Sequence, residues 1–220
     1  MATTILRKTA LTIAAAAATT AGIAGPAIAA QATPGTQAAT ASVQADRKTS
    51  GERELNVRYE AQPNFYYCGP AAARNALSVQ DKNIDVDTMA KEMGTTENGT
   101  DSINDITPVL NKETGKDVYK SVEIPAAKAD SKLTDKLRDD IVRTVDDGRA
   151  VVANIAGTAT DTDGTSHSFE GGHYISVVGY RDNGKTVTIA DSANPDQASY
   201  RMSVDNLANW IATRGYTATS

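Results

Sequence analysis

The sequence predicts an α+β domain, and three observations carry that prediction. Helical patterns dominate from residue 68 to 147, alternating apolar stretches dominate from 150 to 190, and Asn183-Gly184 joins two of the latter as a tight hairpin. Helices first and antiparallel strands afterwards is the order of an α+β fold, not of a parallel βαβ sheet. No internal repeat is visible.

The amino-terminal stretch stands apart from that domain. Arg7 and Lys8 precede the apolar run from Leu11 to Ala18, and small residues continue to Ala29. This is the pattern of a secretory signal peptide, so residues 1–29 are expected to be removed, with cleavage after Ala32 as the alternative. The apolar run is too short and too alanine-rich for a membrane anchor. Residues 30–50 are rich in Ala, Thr, Gln, Ser and Pro and cannot bury enough surface to offset the entropy of ordering. They read as a flexible tail or a short pro-region. Residues 51–220 remain for one domain with a substantial core, expected to be secreted and soluble.

Charge and composition exclude several classes. The chain carries a net charge of −5, and loss of Arg7 and Lys8 with the signal takes it to −7. No basic cluster stands out, so nucleic acid is not an expected partner. A single cysteine allows no internal disulfide, and two scattered histidines with one cysteine do not make a zinc site. No cofactor or metal is expected.

Within the domain the elements follow in order. Leu55–Tyr59 alternates and predicts a strand. Ala71 to Leu77 is strongly helix-forming, and Pro70 suits a first helical turn. Asp85 caps a short helix to Met93, stopped by Gly94. Thr95 to Asp101 is a loop. Ile103, Ile106 and Leu110 form a helical stripe that ends at Gly115, with Pro108 as an irregularity inside it. Val118–Ile124 predicts a strand. From Ser131 to Asp147, Leu133, Leu137, Ile141 and Val145 recur every four residues, the mark of a core-packing helix with a charged outer face. Ala150–Ile155 is a strand, Gly157–Gly172 a long polar loop beside the cleft, and His173–Tyr180 and Lys185–Ala190 the hairpin. Ser203 caps a last helix, from Val204 to about Thr213.

The chemistry gathers at Gln62-Pro63-Asn64-Phe65-Tyr66-Tyr67-Cys68-Gly69-Pro70. Cys68 is placed at the amino end of a helix, where free N–H groups and the dipole favour an anion by about 0.3–1 kcal/mol. A histidine-paired thiolate is favoured over an ordinary one by roughly 6 kcal/mol, so most of the effect needs an adjacent imidazolium. Of the two histidines, His167 lies in the expected polar loop, whereas His173 follows Gly171-Gly172 and opens a strand, which makes it the better base. Counting outward from the Asn183-Gly184 turn brings Asp191 beside His173 to within a residue or two. A carboxylate there would fix the imidazole tautomer, with Asn194 as a weaker candidate. The backbone N–H of Cys68 and the amide of Gln62 are the candidate oxyanion donors. The bland alternatives are a buried structural cysteine, a histidine without a role, and a plain turn at Asp191-Ser192.

Together, Gln62 six positions before Cys68, the Tyr-Cys-Gly-Pro-Ala-Ala run, Gly-Gly-His-Tyr-Ile-Ser-Val-Val-Gly-Tyr and Ile-Ala-Asp-Ser resemble the C39-like peptidases of the papain-like superfamily. The resemblance spans about Leu55 to Trp210 and implies a papain-like α+β fold, N-terminal helices packed on a mostly antiparallel sheet. It implies Cys68 as nucleophile, His173 as base, Asp191 as orienting group and Gln62 as oxyanion donor, acting on a peptide or protein substrate. The chain has no transporter segment, so the double-glycine leader substrates of exporter-fused members do not carry over. The rivals are an acyltransferase or amidase on the same residues, and a non-catalytic binding domain that retained the fold.

Overall fold

The computed structural model describes residues 47–49 and 51–220. Its sheet contains β1 (Arg47–Thr49), β2 (Glu52–Glu54), β3 (Tyr119–Glu123), β4 (Val151–Thr160), β5 (Ser166–Arg181), β6 (Thr186–Ala190), β7 (Ser199–Ser203) and β8 (Gly215–Thr219). The order is β1-β2-β5-β4-β8-β3, with β6 paired to β5 and β7 to β6. Every pairing among these described strands is antiparallel. At 16 residues, β5 is the spine, meeting β4 along its first part and both β6 and β2 near its end.

Strand periodicity divides the core into two. On β4, Val151, Ala153 and Ile155 face the buried side chains of α4 (Ser131–Asp146) and α5 (Val204–Trp210). Val152 and Ala150 face α1 (Cys68–Ser78), α2 (Val86–Glu92) and α3 (Ile103–Thr114). Alternation of side chains along a strand is the cause, and helices cover both faces of the sheet.

The helices end where their signals stand. Asp85 accepts from the N–H of Thr88, and Ser102 and Asp105 form a capping box before α3. Gly115 closes α3 in the left-handed conformation, φ 68°. Pro108 lies on the exposed side of α3, where its missing N–H is tolerated. Asp130 caps α4, whose Leu137, Ile141 and Val145 are fully buried.

Four expectations change. Leu55–Tyr59 is not a strand: Leu55 N–H still reaches Val178 O at 2.9 Å, but beyond it the backbone turns to α1. Arg58 N–H donates to Ser78 Oγ and Glu60 N–H to Asn75 Oδ1, so helix side chains take the place of a sheet partner. Second, Gly157–Gly172 is not a loop but the end of β4, a turn and the start of β5. Asp161 Oδ1 accepts from the N–H groups of Asp163 and Thr165, an Asx turn that closes this polar hairpin. Third, the last helix stops at Trp210, and β7 and β8 flank it. Fourth, Arg47–Thr49 pairs with β2 inside the stretch expected to be a tail. The signal peptide, residues 1–29, and most of residues 30–50 lie outside the described residues. Among the described residues no helix is long and apolar enough to cross a membrane.

Candidate active site

Cys68 is the first residue of α1, which lies buried along its length. Alanines at 71, 72, 73 and 76 leave so little side chain that the helix backbone reaches the sheet, and Ser176 Oγ of β5 donates to Ala72 O at 2.6 Å. Gly69 serves the same closeness, because a Cβ there would lie 2.5 Å from Thr100 Oγ1. The N–H of Cys68 sits at the helical position where no carbonyl of the preceding turn is available.

On β5, His173 is buried, and its Nε2 lies 2.7 Å from Asp191 Oδ1. Cys68 borders the same cavity as the ring, and with Nε2 committed to Asp191, Nδ1 is the nitrogen left free to face the sulfur. Phe169 stacks on the imidazole with centroids 4.0 Å apart and holds its plane. Burial by itself would depress the imidazole. The hydrogen bonds and charges of Asp191 and Cys68 outweigh it and lift the pKa to about 9.

Asp191 follows β6, whose Ala190 pairs with Ser176 of β5, so the carboxylate arrives near the start of the His173–Tyr180 run. Its environment is built for an anion. The Ala193 N–H donates at 3.0 Å to the oxygen that also meets His173, and Tyr200 Oη donates to the other at 2.9 Å. Burial pushes the carboxyl up, yet His173, Ala193 and Tyr200 together hold it below the ordinary carboxylate value. Asp191 repays this on Tyr200, whose phenol is raised far above its ordinary range by burial and by the neighbouring carboxylate.

Gln62 is tied to the residue after Asp191. Its N–H donates to Ser192 O at 3.0 Å, its Oε1 accepts from Ser192 Oγ at 3.1 Å, and its Nε2 donates to Asn64 O at 2.8 Å. An amide nitrogen carries two protons, so one remains to donate elsewhere. Asn194 plays no part in orienting His173. It is exposed, and its Oδ1 accepts from Asp196 N–H.

Contrary to expectation, His167 is held firmly. It is buried, lies 3.0 Å from Asp161 Oδ2, and stacks on Tyr200 at 3.8 Å. It supports the far side of the site and does not meet Cys68. Sequence reasoning also missed Tyr200, Ser192 and Phe169. Tyr200 had a faint signal, as a tyrosine in an alternating run near Asp191. Phe169 was hidden inside the stretch read as loop.

Cys68 and His173 open into a cavity of about 160 Å³, walled by Thr100, Asn154, Gly172 and Arg214. Asn154 Nδ2 donates to Tyr174 Oη, which in turn donates to Thr100 O and pins the loop of residues 95–101 against the sheet. Among the described residues, no group of three or more His, Cys, Asp or Glu is placed to hold a metal.

This arrangement can be set beside known proteins. Residues 54–218 match the model of the Peptidase_C39 like family. Among solved structures, a C39-like peptidase from Bacillus anthracis superposes with a TM-score of 0.51 at 12% identity, covering 75% of this chain and 95% of that one. The peptidase domain of Streptococcus ComA, a bi-functional ABC transporter of a quorum-sensing pathway, gives 0.49 at 18% identity, with 73% and 97% covered. Xylellain, a cysteine protease from Xylella fastidiosa, gives 0.43 at 12% identity, with 77% and 86% covered. No curated protein matches the sequence. Since the family model takes in nearly all of the domain that carries Cys68 and His173, the chain belongs to the Peptidase_C39 like family and is a cysteine peptidase of papain-like fold.

Proposed function

We propose that the protein is an exported cysteine peptidase in which Cys68 is the nucleophile, His173 the base and then the acid, and Asp191 the orienting carboxylate. One observation carries this reading: a buried imidazole bonded to a buried carboxylate at 2.7 Å shares one cavity with the thiol at the head of α1. The Cys68 thiolate attacks the peptide carbonyl carbon, and the Cys68 N–H with the spare Nε2 proton of Gln62 receives the oxyanion. The tetrahedral intermediate collapses as His173 gives its proton to the leaving amine, and the C–N bond breaks to leave a thioester. Neutral His173 then takes a proton from water, whose oxygen attacks the thioester carbonyl and frees the thiolate. Export rests on the Arg7-Lys8 and Leu11–Ala18 pattern.

The test is alkylation of Cys68 by iodoacetamide as a function of pH. Rapid labelling down to about pH 5 that disappears in His173→Ala is the expected result for a thiolate–imidazolium pair. Slow labelling with the same alkaline profile in both proteins would sink the proposal, as would full peptidase activity in Cys68→Ala. Export is checked by the amino terminus of the mature protein, expected at Ala30 or Thr33.

A further inference from the structure

Arg214 brings a positive charge into the cleft that no carboxylate among the described residues answers. It stands just before β8 with its backbone held on both sides, its N–H donating to Ile211 O at 3.0 Å and its carbonyl accepting from Ile124 N–H at 2.8 Å. Its side chain walls the same cavity of about 160 Å³ as Cys68 and His173. The guanidinium lies against the glycine that precedes the base. A Cβ on Gly172 would come within 3.3 Å of Nη2 and 3.5 Å of Cζ, so the arginine lies close over the glycine, and φ +97° is the backbone conformation that favours glycine there.

Arg214 Nε is buried with no hydrogen-bond partner, and among the described residues Arg214 forms no ion pair. Asp101 borders the same cavity without pairing to it. Arg74, by contrast, finds acceptors in Glu60, Arg58 O and Asn83, while the Nε atoms of Arg149 and Arg201 are unpartnered like that of Arg214 but do not border this cavity. A buried donor without an acceptor costs stability, and a planar guanidinium is shaped to take a carboxylate through two parallel hydrogen bonds.

Building on the peptidase reading, we propose that Arg214 is a specificity-determining residue that binds a carboxylate of the substrate beside the scissile bond. The favoured substrates are acidic peptides, the carboxylate being either a Glu or Asp side chain or a free carboxyl terminus close to the cleavage point. Bound there, the substrate completes the ion pair that Arg214 lacks among the described residues, and the peptide carbonyl is drawn toward Cys68.

The experiment compares the full chain with Arg214→Gln and Arg214→Lys. Its first readout needs no peptide. Iodoacetate and iodoacetamide alkylate a thiolate by the same displacement of iodide, and only the first carries a carboxylate. The iodoacetate-to-iodoacetamide rate ratio at Cys68 is expected to fall about 10-fold or more in Arg214→Gln and to be largely restored in Arg214→Lys. The second readout uses peptides with Glu or Gln on either side of the cleaved bond, each with a free or an amidated terminus. A Glu-over-Gln preference in kcat/KM that drops about 10- to 100-fold in Arg214→Gln identifies a side-chain carboxylate, and a preference only for free termini identifies a terminal one. Equal rate ratios in all three proteins, with iodoacetamide still reacting, overturn the proposal and leave the peptidase reading intact. Should Arg214→Gln fail to fold, the wild-type peptide preference decides, and its absence overturns the proposal. A Cys68 that neither reagent labels in the native protein overturns the peptidase reading and this proposal with it.

Discussion

At His173 two opposing effects meet, and their balance sets the working pH. Burial disfavours the imidazolium, while Asp191 and Cys68 favour it more strongly and raise its pKa to about 9. A raised value means that the proton is held below pH 9 and lost as pH rises through it. In the mechanism proposed above, peptide hydrolysis needs that proton for the leaving amine, whereas alkylation needs only the thiolate. Hydrolysis is therefore expected to decline above about pH 9 while iodoacetamide labelling stays high, and the two rates measured on one sample give the check. In Asp191→Asn the anion that holds the proton is gone, so the decline is expected to move down toward the ordinary imidazole value of about 6.5. An unmoved alkaline limb would remove Asp191 from the mechanism. The sequence made Cys68, His173 and Asp191 readable because each sits beside strong local punctuation: Gly-Pro after the cysteine, Gly-Gly before the histidine, a strand end at the aspartate. Tyr200 and Ser192 were not readable, since their roles depend on which strand β7 joins and on where residue 62 returns.

Among the elements, the hairpin of β4 and β5 departed furthest from expectation. Its sequence from Gly157 to Gly172 is polar because its outward residues are exposed, while Ala159 and His167 point inward and are buried. Only three inward positions, filled by alanine, histidine and phenylalanine, carry the strand signal, and glycines at both ends obscure it. His167 anchors this hairpin through Asp161 and by stacking on Tyr200. Replacing it with alanine leaves a buried carboxylate short of a partner and opens a void, so His167→Ala is expected to cost about 2–4 kcal/mol of stability. A urea melt should show the loss, and iodoacetamide labelling of Cys68 should stay within a few-fold of wild type, in contrast to His173→Ala. A variant as stable as wild type would show that the stack and the hydrogen bond contribute nothing net. The helices were far more legible than the strands, because capping residues and four-residue spacing act within a single turn, whereas a strand is defined by neighbours distant in sequence.

Across the whole molecule, helices cover both faces of one antiparallel sheet, and the sheet's interior includes a strand that the sequence hides. β8 reads Gly-Tyr-Thr-Ala-Thr, yet all five residues are buried between β4 and β3. Its threonines suit a strand, and its glycine lies so near β3 that a Cβ would come 2.6 Å from Val122 O. Among the described strands β3 has no partner but β8. A chain ending at Arg214 is therefore expected to lose cooperative thermal unfolding by circular dichroism, and a sharp transition in that truncated chain would contradict it. The placement of β8 also has a temporal consequence. Cys68 emerges from the ribosome long before Gly215, but the sheet that carries His173 and steadies α1 closes only when β8 slots between two strands already made. Loop closure over that separation is slow. A nascent chain thus carries its thiol before the sheet that holds His173 is complete, and assembly of the site waits on β8.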